Sequence, residues 1–177
     1  DWRYTEIGKL NIDNYDFLKS NIKISAIKLS EDLIEKGIIL TDVNTALEKY
    51  PIAQKYFFKD TRIDKDKLVA LSAAYFNHGI FLYVPKNVEL DEPIKINFHL
   101  EEQNSALHNI VLVDANSKID FIEEYSNKEI AREQFNSCVT KVFASQNSKI
   151  KFYHLNNWTK NVYNFTNLVG TTERDAA

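Results

Sequence analysis

The chain has little of several residue types, and each shortage excludes a class of protein. It has one cysteine, Cys138, so no disulfide can form within the chain and a reducing compartment is expected. Four glycines in 177 residues leave no glycine-rich loop for a phosphate group. The formal charge is −3 and no basic stripe is visible, which argues against a nucleic-acid partner. The longest apolar runs, such as Ile110–Val113, are too short to span a bilayer, so no membrane partner is expected either.

A repeated phrase is the most informative feature that is present. Asn116–Phe121 recurs as Asn147–Phe152, at an offset of 147 − 116 = 31, and five of the six positions are identical. A fainter copy, Asn87–Leu90, precedes the first phrase at an offset of 116 − 87 = 29. A spacing of about 30 residues is typical of a solenoid, in which each unit buries its apolar face against the next.

The phrase predicts the corners of a parallel β-helix. Asparagine tolerates the left-handed backbone conformation that a tight corner requires, so Asn87, Asn116 and Asn147 are expected to stack. The Ile or Leu two to three residues later is expected to point inward, and Lys118 and Lys149 to face solvent. Because the repeat is long for one compact coil, each repeat is expected to carry a long side or two sets of strands.

The spacing of apolar residues along the chain changes at Gly79. Before it, three-residue and four-residue spacing predicts helices over 43–50, from Pro51 through 58, and over 65–76, after a short strand at 38–40. Residues 77–79 are expected to end the last helix, with Gly79 at positive φ. After Gly79, period-two segments predict strands at 81–84, 94–100, 107–113, 119–125, 139–144, 150–155 and 162–169. Such strands also suit a sandwich or a barrel, and the repeat favours the solenoid.

The sequence thus predicts a mainly β fold. A right-handed parallel β-helix is expected over 79–177, incomplete at its C-terminal end, behind a small mixed α/β region over 1–78. Neither Asp1 nor Ala177 resembles a natural terminus, so we expect a piece of a longer protein.

Few residues suggest chemistry. The histidines, at positions 78, 99, 108 and 154, show no zinc-type spacing, although stacked coils could bring distant ones together. We expect them to face solvent or to be hydrogen-bonded locally, and we expect Cys138 to be a buried, inert thiol. The aromatic residues crowded between 152 and 165 suit a core or a subunit interface better than a ligand platform.

Two acidic pairs, Glu101-Glu102 and Glu123-Glu124, leave an enzymatic alternative open. Paired carboxylates could serve glycosidic chemistry in a β-helical carbohydrate-active enzyme, and solvated strand ends explain them more simply. The enzyme would need Glu101, Glu102, Asp120, Glu123 and Glu124 to cluster on one outer face. A hexapeptide-repeat acyltransferase is disfavoured because no six-residue apolar period occurs.

The stretch Leu68–Pro93 resembles the SufB/SufD family of iron–sulfur cluster assembly proteins. It has an alanine-rich helix, a glycine turn, a strand ending in Tyr83-Val84-Pro85-Lys86, and a proline before the next strand, as that family does. Further matching segments are Gly37–Asp42, Ala46-Leu47, Lys55–Phe57, Asn157-Trp158 and Val162–Phe165. The likeness therefore covers nearly the whole chain.

The resemblance implies a parallel β-helix behind an N-terminal helical region, in a subunit without catalysis. In that family SufB and SufD pair with each other and with the ATPase SufC, and the complex builds nascent clusters in the cytosol or a plastid. For this chain it implies a SufB-like and a SufC-like partner and a cytoplasmic location, with a plastid as the alternative. A homodimer is a further expectation. No catalytic, cofactor-binding or metal residue carries over, although the assembled complex is expected to handle a cluster.

Two departures favour SufD over SufB. SufB-like sequences tend to carry Arg-x-Asn on the strand after the proline, where this chain has Asn97 and His99. They also tend to carry a cysteine after a Glu-Gly pair, where this chain has Glu124-Tyr125. The family's cluster-related interface residues and the helices that hold SufC would lie beyond Ala177.

Overall fold

The structure is a β-solenoid of about three turns that follows a region of short helices and two strands, so the predicted fold class is confirmed. It is a computed structural model that describes residues 11–17, 22–26, 29–57, 59, 67–101 and 104–177. The helices are α1 (Glu31–Glu35), α2 (Val43–Lys49), α3 (Pro51–Phe57) and α4 (Lys67–Tyr75). The strands are β1 (Ile22–Ala26), β2 (Ile39–Asp42), β3 (Ile80–Val84), β4 (Ile94–Leu100), β5 (Ser105–Val113), β6 (Lys118–Asn127), β7 (Gln134–Ala144), β8 (Lys149–Asn157) and β9 (Val162–Thr172).

Each repeat of the sequence is one coil made of two strands. The strands form two sheets, sheet A in the order β1-β4-β6-β8 and sheet B in the order β2-β3-β5-β7-β9. Strands of successive coils pair in parallel, with Phe121 beside Phe152 in sheet A and Phe81 beside Ile110 in sheet B. The offsets, 152 − 121 = 31 and 110 − 81 = 29, are those of the repeated phrase and its fainter copy. The first coil is bordered by β1 and β2, which pair antiparallel with β4 and β3.

The three predicted asparagine corners are confirmed. Asn87, Asn116 and Asn147 have φ of 62°, 59° and 56°. Their side chains form a ladder: Asn116 Nδ2 donates to Asn87 Oδ1 at 3.1 Å, and Asn147 Nδ2 donates to Asn116 Oδ1 at 2.9 Å. Lys118 and Lys149 are exposed, as predicted. The repeated phrase is therefore architectural.

A fourth corner begins at Asp175. This residue has φ of 61°, and Asn147 N donates to the carbonyl of Arg174, as Asn116 N donates to that of Gln146. The sequence reads Asp-Ala-Ala there instead of Asn-Ser-Lys, so the repeat is visible only in the backbone.

Helices α2, α3 and α4 lie where the sequence predicts them, and the short helix α1 is not predicted. Asp42 caps α2, since its carboxylate accepts from Thr45 N at 2.8 Å. Pro51 begins α3, where its missing N–H has no cost. The predicted helix ends at Phe58 and Lys65 lie outside the described residues. The domain boundary between 78 and 79 stays a prediction.

Helix α4 ends at Tyr75, before the predicted stop at 77–79, and Gly79 has a φ of 150°, so its predicted positive φ is confirmed. The structure adds a second reason for glycine. A Cβ at this position would lie 2.0 Å from the backbone oxygen of His108 on the next coil. Any side chain there would separate the first two coils.

Burial alternates along β4 of sheet A, whereas β5 of sheet B is buried on both faces. β4 alternates buried and half-buried residues, because its outer face is open. All nine residues of β5 are buried, because helices cover the outer face of sheet B. Lys141 of β7 anchors this cover: its fully buried ammonium donates to the carbonyls of Phe57 and Lys59 at 2.7 and 2.8 Å.

The aromatic residues near the end divide between core and surface. Phe152 stacks on Phe121 with centroids 5.8 Å apart, and Phe165 packs on Phe135 at 5.1 Å. Tyr153 is 44% exposed and Tyr163 is 38% exposed. The core prediction therefore holds for the two phenylalanines.

Two strand segments are missing from the sequence prediction. The apolar pattern does not predict β1, nor does it assign the first residues of β7, Gln134–Cys138, to a strand. The β7 segment has polar residues at inward positions, which hides the apolar alternation on which a strand prediction depends.

Candidate functional site

Six polar side chains meet inside the solenoid, between the two sheets. We call them the interior polar cluster: Asn109 of β5, Glu123 and Tyr125 of β6, Cys138 and Thr140 of β7, and His154 of β8. The stacking of coils brings them together, since β5 lies beside β7 and β6 beside β8. They lie beside the largely apolar core, and other buried polar side chains, such as Ser105 and Asn136, bond to each other elsewhere between the sheets.

Glu123 is the centre of the cluster and its side chain is 0% exposed. His154 Nδ1 lies 2.6 Å from Oε1, and Thr140 Oγ1 donates to both carboxylate oxygens at 3.1 Å. Asn109 Nδ2 lies 3.3 Å from Oε2. Three donors therefore satisfy a carboxylate that burial alone would strongly disfavour.

The Glu123 bond decides which nitrogen of His154 carries a proton. An ionised carboxylate only accepts, so Nδ1 must donate to it. Nε2 is buried and has no hydrogen-bond partner among the described residues. A proton on Nδ1 alone leaves Nε2 as an unpaired acceptor and avoids a buried, unpaired N–H.

Cys138 and Tyr125 are held in their neutral forms. Burial raises the pKa of the Cys138 thiol to about 12, and the nearby Glu123 carboxylate adds to the rise. Burial also raises the pKa of Tyr125 well above its usual value, and the Cys138 sulfur lies 3.1 Å from the phenol oxygen. A thiol without thiolate character is a poor nucleophile. The predicted burial of Cys138 is confirmed.

Asn109 joins the two sheets through its amide group. Its Oδ1 accepts from Ile80 N at 3.1 Å, and its Nδ2 donates to Tyr125 Oη at 2.8 Å. The cluster can therefore fix the register of neighbouring coils, and its members are buried apart from His154, whose side chain is 11% exposed.

The predicted carboxylates do not share one environment. Glu123 lies inside, so the expectation of a solvated strand end is wrong for it. An inward position on β6 buries it, and the cluster supplies its donors. Glu124 faces outward and pairs with Lys95 at 2.6 Å, and Asp120 lies 4.0 Å from Lys151. Glu101 pairs with Lys23 at 2.5 Å, and Glu102 lies outside the described residues.

The histidines also divide. His99 faces outward and its Nδ1 lies 2.9 Å from Ser126 Oγ, as a locally bonded imidazole should. His108 is 0% exposed, so the prediction of a solvent-facing or locally bonded ring is wrong for it. Its ring lies 4.3 Å from that of Phe57, and neither nitrogen has a hydrogen-bond partner among the described residues.

The buried His108 ring is neutral. Burial lowers its pKa to about 3, and the Lys141 ammonium lowers it further. The Phe57 carbonyl opposes this shift, although it lies outside hydrogen-bonding geometry with the ring. Sequence gives no warning of this, because Phe57 of α3 and Phe76 cover the ring only once the helices pack on sheet B.

Metal-ligand geometry is not found in the described part of the chain. There, no three side chains of His, Cys, Asp or Glu are placed to hold one ion. The described helices also include none with the length and apolar character that a membrane span requires.

Sequence reasoning missed Asn109, Tyr125 and Thr140. A signal exists for Asn109, which interrupts the apolar run of β5 at an inward position. It pairs in register with Thr140, and that pairing depends on an alignment of coils that sequence alone does not give.

The positions that separate the SufB-like and SufD-like patterns lie on both faces of sheet A. Asn97 and His99 are on the outward face of β4, and Tyr125 is buried inside beside outward Glu124. Asn97 Oδ1 is buried without a partner among the described residues.

Comparison with known proteins gives one consistent result. Residues 6–96 match the SufBD protein N-terminal region, and residues 97–177 match the SufBD core domain of SUF system FeS cluster assembly. The chain is 29% identical to the iron–sulfur cluster assembly protein SufD of Bacillus subtilis, over 96% of the chain and 45% of that protein. It is also 29% identical to a SufBD family protein of Staphylococcus aureus, over 77% of the chain and 30% of that protein. A Staphylococcus epidermidis relative is 28% identical over the same shares.

The chain spans less than half the length of these relatives. Its two family matches adjoin at residues 96 and 97 and together cover nearly all of it. The chain belongs to the SufBD family of the SUF iron–sulfur cluster assembly system.

Proposed function

We propose that the protein is a SufD-like, non-catalytic subunit of a SUF scaffold complex, with a SufB-like paralogue and a SufC-like ATPase as partners. The observation that carries the proposal is the similarity to a protein named SufD along 96% of the chain. The departures from the SufB-like pattern at Asn97, His99 and Glu124-Tyr125 support the same choice.

The chemistry of the interior favours a scaffold over a catalyst. Cys138 is 1% exposed with a raised pKa, and Glu123 is satisfied by three donors inside the core. Buried polar networks of this kind serve to define one packing arrangement. The nascent cluster is then cargo of the assembled complex, which we place in the cytoplasm.

The carbohydrate-active alternative is less well supported. It requires several carboxylates free on one outer face, and the described ones are divided between the interior and separate lysine pairs. Inverting and retaining glycosidases hold their two carboxyl groups within about 10 Å of each other and leave both available to the sugar.

Co-purification tests the proposal. The full-length tagged protein is expressed with untagged SufB-like and SufC-like proteins of the same organism, together and one at a time. We expect both to elute with the tag when all three are present, and the pairwise expressions assign the direct contacts. A β-solenoid of another family with the same tag is the control.

The proposal fails if neither protein is retained by a tagged chain that is folded by circular dichroism. The same preparation is assayed for polysaccharide hydrolysis. Activity that Glu124→Gln abolishes and Lys95→Gln does not would favour the enzyme alternative.

A further inference from the structure

The outer edge of β2 has no partner strand in the described part of the chain. β2 is the first strand of sheet B and pairs on one side only among the described residues. Val43 N donates to Gly79 O at 3.0 Å, and bonded pairs recur at every second residue of an antiparallel ladder. Ile39 and Thr41 therefore bond to β3, and Leu40 points its N–H and C=O toward the free edge.

This edge lies in a cleft of about 780 Å³, within the usual size of a binding pocket. The cleft is lined largely by apolar side chains, among them Leu29, Ile34 and Tyr50. Ile34 is 57% exposed, more than any other large apolar side chain in the described part of the chain. An apolar cleft of this size beside an open strand edge is suited to a ligand that is both extended and apolar.

Charge in the cleft is of one sign. Lys49, in the last turn of α2, is exposed and is the charged residue among those that line the cleft. None of these lining residues is acidic. A ligand carboxylate would therefore meet the Lys49 ammonium and no carboxylate among the lining residues.

Natural edge strands are usually blunted by lysine, proline, an inward charge or short length. β2 is short, with four residues, but Ile39, Leu40 and Thr41 include no lysine, proline or charge, and the following Asp42 is occupied in capping α2. Exposed apolar residues on β8 and β9 lie at the opposite edges of the two sheets, so the β2 cleft is a separate surface.

We propose that this cleft binds an extended segment of a partner protein by strand addition to β2. The segment forms main-chain hydrogen bonds to Leu40, places alternate apolar side chains against Ile34 and its neighbours, and sets an acidic group on Lys49. The inference is independent of the proposed function, because it depends only on the geometry of β2 and its cleft.

The test selects ligands with a library of phage-displayed short random peptides. The wild-type protein is the target, and the double variant Ile34→Ser/Lys49→Glu removes sequences that bind elsewhere. We expect the enriched peptides to alternate apolar residues and to contain an acidic residue. Synthetic copies should slow hydrogen exchange at the Leu40 amide.

Matched charge reversals complete the experiment. Lys49→Glu should weaken peptide binding about tenfold, because it replaces an attraction by a repulsion. Lys86→Glu, also exposed and outside the cleft, should leave the dissociation constant unchanged. Both substitutions are on the surface, so both variants should fold.

Three results would overturn the proposal. The first is a selection without enrichment over the double variant. The second is equal binding by the two charge variants. The third is protection of Leu40 that grows with protein concentration in the absence of peptide, which would identify a second copy of the chain as the occupant.

Discussion

Glu123 and Glu124 allow one chemical change to be compared on the two faces of a strand. Glu123→Gln removes a buried charge at the centre of the interior polar cluster, and Glu124→Gln removes a charge that pairs with Lys95 on the open face. The two residues are adjacent in β6, so strand propensity and sequence context are nearly equal.

The expected magnitudes follow from the contacts. Glu123 accepts a hydrogen bond of 2.6 Å from His154 and one bifurcated bond from the Thr140 hydroxyl, which lies 3.1 Å from each carboxylate oxygen. Hydrogen bonds to a charged group contribute about 1.5–3 kcal/mol each, and breaking a buried pair costs about 3–5 kcal/mol. Glutamine keeps one acceptor oxygen but turns an NH₂ toward donors, so we expect a loss of about 3 kcal/mol.

The change at Glu124 should be much smaller. The side chain of Glu124 is 28% exposed and that of its partner Lys95 is 37% exposed, and exposed ion pairs contribute about 0–1 kcal/mol. Urea unfolding followed by far-ultraviolet circular dichroism measures both free energies of unfolding. A loss at Glu124→Gln equal to or above that at Glu123→Gln would refute the assignment of Glu123 to a satisfied interior site. His154→Gln should reduce the effect of Glu123→Gln in a double-mutant cycle.

Four further outcomes are expected. Gly79→Ala should cost at least ~3 kcal/mol or prevent folding, because the new Cβ would lie 2.0 Å from the His108 oxygen, and thermal unfolding measures it. The pKa of His108 is about 3 in the folded protein and 6.5 ordinarily, so the stability that the neutral ring contributes is complete above pH 6.5 and is lost as pH falls. Between pH 7 and pH 5 the wild type should lose about 2 kcal/mol of its free energy of unfolding relative to His108→Phe. An equal dependence of the free energy of unfolding on pH in the two proteins would contradict this. Asn116→Ala should destabilise the protein by about 1–2 kcal/mol and Asn116→Gly by less, since Asn116 has φ of 59°; equal losses in chemical denaturation would argue against the corner. Cys138 should react with a thiol reagent only at the rate of unfolding, and rapid labelling of the native protein would show that the thiol is accessible.

Much of the solenoid could be predicted because its determinants are local. The left-handed corners at Asn87, Asn116 and Asn147 depend on the tolerance of one residue type for one conformation. Asp42 and Pro51 mark helix starts by local hydrogen bonding and a fixed φ. The fourth corner at Asp175 escaped prediction because aspartate adopts the same conformation without the repeated phrase.

The interior polar cluster could not be predicted, because its bonds join distant residues. His154 and Glu123 are one coil apart in the chain, and they meet only when β6 and β8 are aligned. The sequence does not show which partner a polar residue at an inward position will have. A solvated strand end is therefore the simpler interpretation of Glu123 until the coils are aligned.

The sequence by itself determined the coil length, the corners, the strand parity and, through its resemblance, the family, because each depends on short stretches of chain. Only the tertiary structure decided which of two adjacent glutamates is buried, which histidine lies under a helix, and which strand edge lacks a partner among the described residues. Those outcomes depend on the alignment of successive coils and on the packing of α2–α4 over sheet B, and contacts between distant residues fix both.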